Sequence, residues 1–327
     1  RADGLGNALK SHLVEKAGQG LRVYFLYDEL GSLGLPAAYI SELREAGVHM
    51  KPFNTRRGRR NRFQLNFRNH RKIVVTDGKA AWIGGHNVGD EYLGKDPAIG
   101  RWRDTHVKIT GPATLAAQVS FLEDYQWATD ELLNLTWTPT PSPDGDVPVL
   151  IVPTGPADQT ETAMLMFVHI INSARQRIWI SSPYFVPDES VMSALTLARL
   201  RGVDIRILIP EMPDNKLMYF AAYDYFDDLS ESGIEFYRYQ DGFIHEKVML
   251  VDDALSAVGT ANFDNRSFRL NFEITALMGD QPFAAEVEQM FNDGFAVSRK
   301  MLPGDYDAKP YWFKLAVRVC RLMSPVL

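Results

Sequence analysis

The residues best placed to do chemistry occur twice. His70, Lys72, Asp77, Gly84 and Asn87 follow the spacing H-x-K-x4-D-x6-G-x2-N, and His245, Lys247, Asp252, Gly259 and Asn262 repeat it, 17 residues from His to Asn in each copy. A single string of this kind can arise by chance or mark a capped strand; two copies at matching spacing are strong evidence of a site. Side chains two apart on a strand share a face, so each His–Lys pair can look into one cleft. The turns that follow, with Gly84 and Gly85 in one copy and Gly259 and Thr260 in the other, let backbone approach a ligand and bring Asn87 or Asn262 near it. Two Lys and two Asn supply donors to the non-bridging oxygens of one phosphate. Two imidazoles on opposite sides of that phosphate suit covalent catalysis without a metal or other cofactor. One, neutral, attacks phosphorus; the other, protonated, gives its proton to the leaving oxygen and later takes one from an acceptor alcohol. Which His does which is open at this point. Asp77 and Asp252 complete the motif, but five residues past their His, on the opposite face, they read as supports of the turn more than phosphate contacts. Each His also needs an acceptor on its other nitrogen. Asp104, 34 residues after His70, and Glu273, 28 after His245, are the candidates.

These residues need a scaffold, and the repeat describes one. "TPTPSPDGDVP", residues 138–148, holds four prolines and sustains neither helix nor central strand, so it reads as a linker. On both sides the same elements recur. "NALKSHLVEKAGQGLRVYFLYDELGS" predicts a helix stopped at Gly20 and a strand over 21–27; "SVMSALTLARLRGVDIRILIPEMPDN" answers with Gly202 and a strand over 203–209. "AAYISELREAGVHMKPFN" and "AAYDYFDDLSESGIEFYRYQ" then give another helix and strand each. The fold class is α/β, with two α/β/α sandwich domains related by a pseudo-twofold and the site at their interface. The boundaries are 1–137 for the first domain, 149–300 for the second and 301–327 for a C-terminal amphipathic segment. The second half begins with "RQRIWISSPYF", a strand without counterpart in the first, so an opening strand is expected to lie outside this sequence.

Composition narrows the classes. With 327 residues, 46% apolar and 23% charged, the chain suits two packed domains and neither disorder nor a disulfide scaffold. The lone Cys320 makes no internal disulfide, no Cys/His cluster has zinc spacing, and no apolar run spans a bilayer. Net charge is −6, yet "KPFNTRRGRRNRFQLNFRNHRK", 51–72, holds nine Lys or Arg and no acid, leaving −15 on the rest. That run leads into His70, so Arg56, Arg57, Arg59 and Arg60 read as an approach for an anionic substrate. A nucleic-acid partner is disfavoured by the acidic remainder. On a C-terminal helix Trp312, Leu315, Ala316, Val319 and Met323 form one stripe opposite Lys314, Arg318 and Arg321, as in a segment lying on a membrane or docked on its domain. Tyr184 and Phe185 suggest an apolar entrance or a buried pair. His12, His49, His86, His106 and His169 lack repeated partners and read as structural or solvated, and the acidic stretch 224–231 as a solvated face.

The duplicated motif resembles the phospholipase D, or HKD, superfamily. "YDELGS", "NFRNHRKIVVTDGKAAWIGGHNVGDEYLG", "WRDTHVKITGPA", "SPYFVPD", "GFIHEKVMLVDD" and "GTANFDNRSFRLNFE" together resemble the bacterial cardiolipin synthases over nearly the whole chain. Thr260 stands where the superfamily often has Ser, keeping the hydroxyl. The resemblance implies transfer of a phosphatidyl group from one phosphatidylglycerol to another, releasing glycerol, with His70 as nucleophile and His245 as acid and base. It implies anionic phospholipid partners, a membrane surface and the bacterial inner membrane, with anchor segments upstream. Hydrolysis of phospholipid, or a nuclease activity, are the alternatives on the same core.

Overall fold

The computed structural model describes residues 1–53, 67–142, 145–212, 214–302 and 304–323. In the second half Arg177–Ser181, Asp204–Pro210 and Glu235–Tyr239 run parallel, and Val248–Val251, Leu255–Gly259 and Asn271–Gly279 extend the sheet antiparallel. Alternation along the strands explains why both faces are covered. Ile205, Ile207 and Ile209 point into a core under the helices Thr162–Ser173, Glu189–Leu200 and Lys216–Glu231, while Leu208 points into another under Gln281–Ala296. That second core also holds Ala81, Ile83, Val107 and Ile109 of the first half, so the halves share packed interior.

The first half repeats the plan. Helix Gly4–Gly18, strand Tyr24–Asp28, helix Ala37–Glu45 and strand His49–Phe53 precede an antiparallel trio, Ile73–Thr76, Ala80–Gly84 and His106–Thr110, and helix Thr114–Thr129. In the second half Arg177–Ser181 lies between Asp204–Pro210 and Val248–Val251; among the described residues no strand takes that place in the first half. The burial differs accordingly: Val248–Val251 is wholly buried, whereas Val74 in Ile73–Thr76 is 56% exposed.

Helix Tyr311–Arg321 docks on Lys216–Glu231 through buried Phe313 and Val317, and Arg321 pairs with Asp224 and Asp228. The stretch 224–231, expected to be a solvated face, is therefore in part the seat of the C-terminal helix: Arg321 neutralises its carboxylates, and Tyr225, Phe226 and Leu229 are core residues.

Two short pairings stitch the halves together where the site forms. Arg68–Asn69 runs parallel to Asn271–Phe272, and Trp102–Arg103 runs parallel to Phe243–Ile244. The His70 N–H donates to Phe272 O at 2.9 Å and the His245 N–H to Arg103 O at 2.7 Å. Each H-x-K segment thus starts on the other half and continues into its own sheet.

Candidate active site

That crossing decides which acid meets which His. His70 Nδ1 lies 2.9 Å from both carboxylate oxygens of Glu273, and His245 Nδ1 lies 2.8 Å from Asp104 Oδ2. The order along the chain placed each acid downstream of the His in its own half; in the fold they are exchanged, because the strands entering each H-x-K segment are paired with the strand that carries the other half's acid. A carboxylate at Nδ1 fixes the tautomer with the proton there, so both Nε2 atoms carry the lone pair. The Lys72 ammonium donates to His70 O at 2.7 Å and Lys247 to His245 O at 2.6 Å. Lys247 Nζ also lies 3.0 Å from His245 Nδ1.

Burial and mutual repulsion set the charges. Burial pulls the Lys72 ammonium down to about 7 and Lys247 to about 8, each against the attraction of Glu273 and Asp104. Burial likewise lowers both imidazoles. Glu273 opposes this at His70, whereas at His245 the Lys247 charge adds to it and Asp104 resists. For the acids, burial pushes upward but is outweighed: the His70 charge and hydrogen bond hold Glu273 down, and the bond from His245 with the Lys247 charge holds Asp104 down. The result is two carboxylates held in the ionised form behind imidazoles whose charged form burial disfavours, beside two ammonium groups ready to give up protons. An anion between the ammonium groups reverses that tendency.

The other predicted residues divide. Asn262 is buried with its Oδ1 unbonded, and Asn87 is exposed, its amide donating to the Tyr92 hydroxyl at 2.5 Å. The glycines correct an expectation. A Cβ on Gly84 would lie 2.2 Å from Thr105 O, on Gly85 2.0 Å from Asp104 Oδ1 and on Gly259 2.5 Å from Ile274 O. The space a Cβ would take at each is filled by the segment that carries the acid of the opposite His. Thr260 is corrected too: its hydroxyl is fully buried and accepts from the Ile274 N–H at 2.9 Å, holding the residue after Glu273. Asp252 accepts from the N–H groups of Arg175, Gln176 and Arg177, a turn support as expected, and Asp77 occupies the matching left-handed turn position (φ 55°, against 52° at Asp252). Arg56, Arg57, Arg59 and Arg60 lie outside the described residues.

Sequence reasoning missed three features. Trp102 and Tyr92 stand against His245, with ring centroids 5.1 and 6.0 Å away; the proximity of Trp102 to Asp104 in "WRDT" was the available signal. His86 and His106, read as structural or solvated, meet Nδ1 to Nδ1 at 3.1 Å, and burial beside His86 takes His106 down to about 4. Tyr184 is half-buried with its hydroxyl on Asp214, while Phe185 is core.

Two H-x-K segments meeting across a duplicated α/β fold, each His backed by the other half's carboxylate, define a phospholipase D-like phosphodiester site. The family described as "Cardiolipin synthase, PLD-like domain" matches residues 167–294. Cardiolipin synthase A of Pseudomonas putida (strain GB-1) is 52% identical over 325 residues, covering 99% of this chain and 68% of that protein. Cardiolipin synthase A of Pseudomonas aeruginosa (strain LESB58) is 50% identical over 327 residues, 100% of this chain and 66% of that protein. Among solved structures, the phosphatidylserine synthase of Haemophilus influenzae Rd KW20 shares the fold with a TM-score of 0.69 over 100% of this chain and 88% of that one, at 16% identity. The chain belongs to the cardiolipin synthase family of the phospholipase D superfamily.

Proposed function

We propose that the site moves a phosphatidyl group from one phosphatidylglycerol to the terminal hydroxyl of another through a phosphohistidine on His70, giving cardiolipin and glycerol. The observation that carries this reading is the pair of imidazoles with Nδ1 held by buried carboxylates and Nε2 left for phosphorus and protons. His70 Nε2 attacks phosphorus while protonated His245 gives its proton to the departing glycerol oxygen. His245 then takes the proton of the incoming hydroxyl, whose oxygen bonds to phosphorus as the P–N bond breaks. Lys72 and Lys247, with Asn87 and Asn262, carry the charge on the non-bridging oxygens. The bound anion raises the His245 pKa toward the value an acid needs, and Asp104 supports the imidazolium. Exposure favours these roles: the His70 side chain is 26% accessible and His245 8%. The domain division 1–137, 149–300 and 301–327 belongs to the same reading, with each of the first two domains contributing one His–Lys pair.

Phosphatidylglycerol vesicles without added metal test it. Cardiolipin and glycerol are the expected products; phosphatidic acid alone makes the protein a phospholipase. DNA binding with a steep salt dependence and no lipid turnover makes it a nuclease.

The substrate lies in a bilayer, and we place this enzyme on the bacterial inner membrane with helix Tyr311–Arg321 on the anionic surface. Phe313 and Val317 face the protein, while Trp312 (65%), Leu315 (56%) and Val319 (56%) remain exposed on another face, with Arg318 beside them. No helix among the described residues is long and apolar enough to cross a membrane. Trp312 and Arg318 suit the interface, and each basic residue there adds about 1 kcal/mol on an anionic surface. The Arg run 56–60 serves the same headgroups. Replacing Trp312 and Leu315 with Ser is expected to release the protein from phosphatidylglycerol vesicles in sedimentation; undiminished binding contradicts this placement.

A further inference from the structure

One wall of the cleft is left unused by the phosphate chemistry. Ser182 Oγ accepts from the N–H of Phe263, the residue after Asn262, at 3.1 Å and donates to Tyr184 O at 2.6 Å. Phe185–Val186 pairs with Phe263–Asp264, so Tyr184 is clamped beside the turn that carries Asn262. The Tyr184 hydroxyl donates to Asp214 Oδ2 at 2.6 Å, and among the described residues no cation pairs with this exposed carboxylate. Its charge reaches Lys247 and Tyr92. Tyr184, Asp214, Asn215 and Met218 line a cavity there. Tyr92, which feels the Asp214 charge, has its ring against His245 and its hydroxyl accepting from the Asn87 amide.

A carboxylate with no cation partner among the described residues repels the charge of a nearby phosphate, so its presence calls for another partner. Carboxylates accept from hydroxyls and have nothing to donate; a vicinal diol offers two such donors. We propose that Asp214 and Tyr184 recognise the hydroxyls of the glycerol headgroup, both as it departs and as the acceptor arrives, and so favour a polyol over water at the phosphohistidine. This rests on the transfer reading above. The terminal hydroxyl oxygen bonds to phosphorus as the P–N bond breaks, and its proton passes to His245. The neighbouring hydroxyl keeps its proton and donates to Asp214, which changes no bond.

A phosphatidyl 4-nitrophenyl ester as donor separates the two claims, because nitrophenol release reports formation of the phosphatidyl-enzyme whatever the acceptor. With glycerol, ethanol and water competing, Asp214→Asn and Tyr184→Phe are each expected to raise the KM for glycerol about tenfold, the loss of one charged hydrogen bond. The KM for ethanol, which lacks the second hydroxyl, moves less than about twofold on the same logic. Product shifts from phosphatidylglycerol toward phosphatidic acid, and Asp214→Glu recovers part of the glycerol preference. Nitrophenol release normalises each variant for folded, competent enzyme. An unchanged KM for glycerol, or equal losses for glycerol and ethanol, overturns the proposal. Absence of nitrophenol release from the unsubstituted protein overturns the transfer reading instead.

Discussion

His70 and His245 hold equivalent places in the repeat, but their surroundings have diverged. The His70 side opens to the cleft, and its acid is gripped: Glu273 meets His70 Nδ1 with both oxygens and accepts from the Asn271 amide at 3.0 Å, while Thr260 fixes the next residue. The His245 side is walled by Trp102 and Tyr92, and Asp104 accepts only from His245 and, at 2.8 Å, from the Thr105 N–H among the described residues. Where the first pair has Thr260, the second has Gly85, with no room for a side chain. The difference is what the proposed division of labour between the two copies of the motif rests on. The rigid, open imidazole suits attack on phosphorus in a bulky lipid; the deeper one, beside Lys247 and hydroxyl-bearing walls, suits proton transfer to and from an alcohol.

Removing either imidazole gives the largest effect: His70→Ala and His245→Ala are each expected to lower cardiolipin formation at least about 10⁴-fold in a vesicle assay. A variant that keeps more than a few per cent of activity breaks the requirement for both. Neutralising the acids comes next. Glu273→Gln and Asp104→Asn are expected to cost up to about 10⁴-fold in kcat through a misoriented tautomer. Because the folded carboxyls are depressed, their contribution to stability is present above the ordinary carboxylate range and lost as pH falls through the folded values. Thermal unfolding of Asp104→Asn therefore converges with that of the parent only below about pH 2, that of Glu273→Gln only below its own depressed value, and a gap that persists there points to packing instead.

Gly85→Ala sharpens the comparison, since its Cβ would displace Asp104 and disturb only the His245 side. We expect a loss of about 10–100-fold with phosphatidylglycerol, within the 1–3 kcal/mol typical of overpacking. The loss should be smaller with a nitrophenyl leaving group, which needs no proton; equal losses would mean that Gly85 serves the whole fold. The smallest effect is a proton count. With Lys72 near 7 and Lys247 near 8 against an ordinary 10.5, the unfolded chain binds more protons between about pH 7 and 10, so stability of the free protein rises with pH there. Inorganic phosphate reverses the shift. Calorimetry at pH 8 in buffers of different ionisation enthalpy should record uptake of about one proton on binding; no uptake refutes the proposed pairing of both ammonium groups with phosphate.

The alternation of helix and strand and the paired H-x-K motif were legible because they are local patterns repeated at fixed spacing. The strand over 203–209 is found at Asp204–Pro210 and that over 21–27 at Tyr24–Asp28, with Gly202 and Gly20 at positive φ as helix stops. The exchange of Asp104 and Glu273 was not legible, since it depends on two-residue strands pairing 141 and 203 residues apart. The glycines of the turn were assigned to a ligand because spacing reports that space is needed and not what fills it. Asp214 carries no repeated spacing at all; its place emerges only once Ser182 ties Tyr184 to the Asn262 turn.

The division of labour is tested most directly by His245→Ala incubated with phosphatidylglycerol and read by intact mass and peptide mapping. With the nucleophile intact and the acid–base group absent, a phosphatidyl adduct on His70 is predicted, while His70→Ala yields none. An adduct on His245 in the His70→Ala protein, with none on His70 in its counterpart, would contradict the assignment and exchange the roles of the two half-sites.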